Sequence, residues 1–301
     1  MGKSLLSRFG VVTMFESALI CTDFTDGLYR LVRFVPQLAE SGLKKLVFLH
    51  VVPLAEGAVP RPDEAGIQVA RDRLSSGLDN IPDGVEVTVE VKSGTPSVQI
   101  AEVLRSQHVE LVILGTPGRS LLSEKLFGST MINVCQRLTI PLMILRPNLI
   151  STYTNAELAL RCQNLFHHLL LPYDDSETAR YTLERIKTKA QAGHPLKHCL
   201  LCWVVDEVRR NAQLREYEEE NAAKVLAQRK QELEELGIDV RTEVLVGNPL
   251  TEILEMAVDV DISAIASASR NVGKLIELSV RSLTGELLRK SWHPVIYFPI
   301  R

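Results

Sequence analysis

The residues with the clearest chemical potential form two short clusters near position 120. Gly115-Thr116-Pro117-Gly118-Arg119 follows an apolar run, and Phe127-Gly128-Ser129-Thr130 precedes a helical pattern on Met131, Ile132, Val134 and Leu138. A glycine at the end of a strand lets the backbone turn sharply and lets a ligand come close. Ser129 or Thr130 would open a helix, where free N–H groups and the positive end of the dipole attract anions. Arg119 would add a guanidinium fork. The chemistry this suggests is phosphate binding. The pattern lacks the Gly-Lys-Ser/Thr of a Walker loop and is not the Gly-x-Gly-x-x-Gly dinucleotide fingerprint. On glycines alone, a plain turn and helix cap fit equally well.

Other chemistries find less support. Cys199 and Cys202 sit inside the apolar run HCLLCW, where residues three apart face opposite sides of a strand. That makes them core cysteines rather than a redox or zinc pair. The histidines show no metal-ligand spacing, and no Gly-x-Ser-x-Gly elbow or triad is present. No catalytic residue and no metal ligand is assigned.

The elements that must position the glycines recur along the chain. LVFLHVVP at Leu46–Pro53 returns as CLLCWVVD at Cys199–Asp206, and Gly94-Thr95-Pro96 returns as Gly247-Asn248-Pro249, both at a spacing of 153. ALICTDFT at Ala18–Thr25 returns as LLLPYDDS at Leu169–Ser176, at a spacing of 151. So long a period means two domains rather than a solenoid. The boundaries read as an extension over 1–14, a first domain over 15–147, a linker over 148–164 and a second domain over 165–301.

Each half alternates apolar strands with helices. Strands are expected at Ser17–Thr22, Lys45–Val52, Val85–Val91, Glu110–Leu114 and Pro141–Leu145. In the second half they are expected at Phe166–Leu171, His198–Val205, Asp239–Val246, Ile262–Ala266 and Pro294–Phe298. Near-continuous apolar strands between helices predict a doubly wound α/β fold with a parallel sheet. Ligands then bind outside the carboxyl ends of the strands, where strand order reverses. A helix-like piece is expected at Ala156–Cys162, and a long amphipathic helix within Asp206–Leu236.

Gly115, Gly118, Gly128 and Ser129 follow a spacing of Gly, two residues, Gly, nine residues, Gly, Ser/Thr. This resembles the nucleotide signature of the universal stress protein family, and the resemblance runs as two copies from about Phe15 to Ile300. It implies a five-stranded parallel sheet per domain, Rossmann-like, with the two last strands pairing into an intramolecular pseudo-dimer. It also implies an adenine nucleotide, ATP or AMP and with or without Mg²⁺, in the first domain. By the same resemblance Asp23 faces the adenine and ribose end, Thr25 matches the Ser/Thr two residues on, and backbone groups of Val51 hold the base; a helix N-cap is the other reading of Asp23. Asp174 and Ser176 repeat the strand-one positions, but Ala266-Ser267-Ala268-Ser269-Arg270 lacks the glycines, so the second site is expected to be degenerate. The implied role is nucleotide-responsive regulation or stress tolerance. A non-catalytic scaffold and a slow ATP hydrolase on the same fold stay open.

Bulk composition bounds the partners. A net charge of −3 gives no pull toward nucleic acid. No apolar run approaches the length of a membrane span. Five scattered cysteines suit a reducing compartment, so a cytoplasmic protein is expected. Pairing of whole chains into a homodimer and an unidentified protein partner are further expectations. Met1–Thr13 reads as a lead-in without signal-peptide character.

Overall fold

The computed structural model describes residues 14–24, 27–55, 60–75, 77–116, 139–191, 196–206, 212–270 and 282–300. Its strands are β1 (Ser17–Thr22), β2 (Lys45–Val52), β3 (Glu86–Ser93), β4 (Leu111–Gly115), β5 (Leu142–Leu145), β6 (His168–Pro172), β7 (His198–Asp206), β8 (Asp239–Gly247), β9 (Ala264–Ser269) and β10 (Val295–Pro299). They form one ten-stranded sheet in the order β3-β2-β1-β4-β5-β10-β9-β6-β7-β8. Every pair within a half is parallel, and the two halves join through antiparallel β5 and β10, with Met143 opposite Ile296. The expected α/β architecture and the pairing of last strands are both present.

Why these runs become strands is visible in their burial. The inner strands β1, β4, β5 and β10 are covered on both faces and are apolar almost throughout. The outer strands β3 and β8 are only half-buried and carry charges such as Glu90, Lys92, Arg241 and Glu243. One apolar core crosses the seam. It contains Phe15 and Ile20 from the first half with Phe166 and Leu183 from the second. The Phe15 and Phe166 rings meet edge to face at 5.4 Å. On the opposite face a cluster around Leu19 and Val112 also takes in Leu288, Val295 and Tyr297 of the second half, while another around Leu200 and Ile265 lies within the second half.

The repeat extends to backbone strain. Positive φ occurs at Gly84 and Gly237 (both +80°), Gly94 and Gly247, and His108 and Asp261 (both +51°). Each pair is 153 residues apart, so the two halves bend at matching places. After each such glycine Pro96 and Pro249 open a helix, Pro96–Gln107 and Pro249–Asp259.

The linker is more structured than its composition suggests. A helix at Pro147–Thr152 is followed by a second at Asn155–Gln163, which contains the expected piece. Thr154 and Glu157 form a reciprocal capping box at the second start. Arg30 donates to the carbonyls of Ile150 and Tyr153, holding the linker to the first half. Arg146 donates to the carbonyls of Leu288, Arg289 and Ser291 at 2.6 to 2.9 Å. Those carbonyls end the Leu283–Lys290 helix of the second half, so Arg30 holds the linker to the first half and Arg146 holds its start to the second.

Candidate functional site

Strand order reverses between β1 and β4, and the crevice at their carboxyl ends is where ligands of such sheets bind. Asp23 follows β1 directly and is exposed. Gly115 is the last residue of β4, half-buried and in register with Leu145. Thr116 N–H donates to the Leu145 carbonyl at 3.1 Å, so backbone pairing with the β5 side continues through Thr116. Gly115 therefore closes the strand rather than following it.

Val51 belongs to β2, one residue beyond its last register pair with β1, Thr22 to His50. The Val52 carbonyl accepts from Gly94 N–H, on the β3 side. Backbone groups of successive strand residues point to opposite neighbours. The N–H and C=O of Val51 thus point toward β1, past whose end the crevice opens. The structure brings Asp23, Val51 and Gly115 to this one margin. Thr25, Gly118, Arg119, Gly128, Ser129 and Thr130 lie outside the described residues.

Sequence reasoning missed an aromatic and cationic group beside Asp23. Phe24 stacks on the His50 ring at 4.1 Å. The Arg73 guanidinium lies 4.2 Å from the Phe24 ring centre and 4.3 Å from that of Tyr29. His50 Nδ1 lies 3.0 Å from the Thr22 carbonyl, which only accepts, so Nδ1 carries the proton. Burial lowers the His50 pKa, leaving a neutral ring at neutral pH with Nε2 as an acceptor. These contacts fix the chain where Asp23 leaves the sheet. No periodicity links residues 24, 29, 50 and 73, so nothing in the sequence announced them.

The matching margin of the second half is occupied by its own side chains. Asp174 accepts from Ser176 N–H at 3.0 Å, and Ser176 Oγ accepts from Ala179 N–H at 3.2 Å, capping the Glu177–Gln191 helix. Strand β9 runs on to Ser269, three residues past the expected end, because no glycine interrupts its pairing with β10. Ser267 Oγ meets Thr284 Oγ1 at 2.8 Å, and Arg270 forms an ion pair with Glu177. Ser267 and Arg270 are thus engaged within the domain.

Cys199 and Cys202 face opposite cores, and burial pushes both thiols up to about 12. Thiols so hard to ionise are poor nucleophiles and poor ligands. Among the described residues no group of His, Cys, Asp and Glu is placed to hold a metal, and no helix is long and apolar enough to cross a membrane.

A duplicated doubly wound domain joined through its last strands defines a class of paired α/β proteins. The chain belongs to the universal stress protein family, which it matches over residues 14–146 and again over 165–299. It is similar to Universal stress protein MJ0577 of Methanocaldococcus jannaschii, 27% identical over 154 residues, which are 44% of this chain and 94% of that protein. A universal stress protein from Archaeoglobus fulgidus DSM 4304 shares the fold with a TM-score of 0.61 at 19% identity, over 94% of this chain and 98% of that one. So does the functionally unknown protein PA1789 from Pseudomonas aeruginosa PAO1, with a TM-score of 0.55 at 13% identity, over 95% of this chain and 92% of that one.

Proposed function

We propose that the first domain binds an adenine nucleotide, ATP or AMP, and that binding shifts a conformational equilibrium read by a protein partner. The observation that carries this reading is the convergence of Asp23, the Val51 backbone pair and Gly115 on one switch-point margin. A backbone donor and acceptor side by side suit the edge of a purine. An exposed carboxylate beside them suits ribose hydroxyls. A glycine at the end of β4 adds no Cβ where phosphates would approach. Thr25, Gly118, Arg119, Gly128, Ser129 and Thr130 complete the proposed site, with the last two supplying helix-terminal N–H groups to phosphate oxygens. Any Mg²⁺ would come with the nucleotide phosphates. The shift is limited by the difference in nucleotide affinity between the two states.

Mass spectrometry of ligand released from purified protein, with calorimetry against ATP and AMP, tests the reading. The expected result is an adenine nucleotide and one binding event per chain. Gly118→Val should abolish it while the circular dichroism spectrum is kept, and Asp23→Ala should weaken it about tenfold. Absence of released nucleotide together with no heat at millimolar ATP would leave a scaffold without a nucleotide. Timed production of ADP or AMP would reveal hydrolysis.

A further inference from the structure

A cavity apart from the β1–β4 crevice is bounded by described residues. It has a volume of about 640 Å³ and lies beneath the linker helices, between the carboxyl ends of β4 and β5 and the amino ends of β6, β7 and β10. That volume falls in the range of small-molecule sites. Its walls are chemically divided. Leu145, Leu149, Leu158, Ile262 and Pro294 make an apolar lining. Leu160 and Trp292 also line it yet remain 61% and 60% exposed, so large apolar side chains stand at its mouth without cover.

The other wall is rich in donors. His167, His168, Lys197 and His198 meet at the amino ends of β6 and β7, with the His168 and His198 rings 5.6 Å apart. Arg161 lies on the linker side, over the Tyr153 ring at 4.6 Å. Among the described residues neither Lys197 nor Arg161 has a carboxylate partner within ion-pair distance. The lining acids are less available. Glu157 accepts from Thr154 N–H and Thr154 Oγ1 at 2.7 and 2.8 Å. Asp261 lies near His168 and His293, whose titration it influences. Arg161 is partly balanced by Glu157, four residues earlier, whereas Lys197 has no carboxylate among the described residues within ion-pair distance, so this wall favours an entering anion over a cation.

We propose that this cavity is a second ligand site, for an organic anion whose aromatic or branched apolar body packs against Leu160 and Trp292 while one acidic group faces Lys197 and Arg161. Among the described residues, Asp23, Val51 and Gly115 of the proposed nucleotide site do not line it.

The probe is 8-anilinonaphthalene-1-sulfonate, an aromatic anion, added to the full-length protein. Its neutral analogue, N-phenyl-1-naphthylamine, carries the same rings without the charge. Expected are saturable one-to-one binding of the sulfonate with quenching of Trp292, lost in Trp292→Phe, and at least tenfold weaker binding of the neutral analogue. Lys197→Glu and Leu160→Asp, both at exposed positions, should each weaken the sulfonate about tenfold. Lys224→Glu, an equal charge change on the distant Ala212–Glu234 helix, should leave affinity within twofold, as should Asp23→Ala. Equal affinity for the two probes, insensitivity to Lys197→Glu and Leu160→Asp, or loss on Asp23→Ala would each overturn the proposal. The Asp23→Ala result also separates this site from the nucleotide crevice.

Discussion

At the scale of single residues, the strained positions offer clean tests. A Cβ added at Gly84 or Gly237 would meet no heavy atom within 4 Å, yet both residues have φ of +80°. Any cost of alanine there is conformational, about 1 kcal/mol. Gly84→Ala and Gly237→Ala should therefore lower the urea midpoint by equal amounts, with no change in the slope. Unequal losses would mean that the two turns do different work. The histidines set a pH dependence. Burial is the main cause of lowered pKa values at His50, His167, His168 and His293, against an ordinary value of 6.5. With the folded pKa below the unfolded one, the unfolded chain takes up protons first as pH falls. The stabilisation is complete above about pH 6.5 and is lost as pH drops through the folded values. Urea midpoints should fall between pH 7.5 and 5.5, and His50→Gln with His293→Gln should flatten that decline.

At the scale of elements, the linker helices and the Leu283–Lys290 helix share one fastener. Arg146 satisfies three carbonyls from a half-buried position, and burial lowers its pKa. Arg146→Met keeps the apolar stem but leaves those carbonyls to find water. We expect a loss of about 2–4 kcal/mol, part of it recovered by Arg146→Lys, measured by chemical denaturation. This element scale is also where the sequence was most legible. Apolar runs located all ten strands, and β1 and β2 match their expected bounds to the residue. The failures have physical causes. Pro147 and Asn148 looked like linker composition, but proline in the first turn starts a helix as readily as it breaks one. Ser267 to Ser269 looked like a loop, but small residues without a glycine continue a paired strand. Asp23 and Gly115 were legible as strand ends, and Val51 came from the family resemblance; the structure brings the three to the β1–β4 margin. The Phe24–His50–Arg73 group and the linker cavity escaped, since each joins segments that only the tertiary structure brings together.

At the scale of the whole molecule, the shared core should make the two domains unfold as one unit. Phe15, Phe166 and the antiparallel β5–β10 pair leave no apolar face on which either half ends independently. Trp203, in β7, reports on the second half, while far-ultraviolet circular dichroism averages over both. Their urea transitions should coincide. Phe166→Ala, which removes a fully buried ring, should move both together by about 3–5 kcal/mol. Two separated transitions would show that the seam is weaker than its contacts suggest.

The antiparallel seam has a directional consequence. Reversing strand polarity at mid-sheet sends the carboxyl ends of the two halves to opposite rims. The rim that bears the β1–β4 crevice also bears the amino ends of β6 and β7, where the linker cavity lies, while the second domain's closed counterpart faces the far side. With the crevice and the linker cavity on one rim, the two rims of the sheet are chemically unlike despite the internal repeat. A macromolecule docking along that edge would sense both pockets at once, and one docking on the reverse edge would sense neither except through the fold.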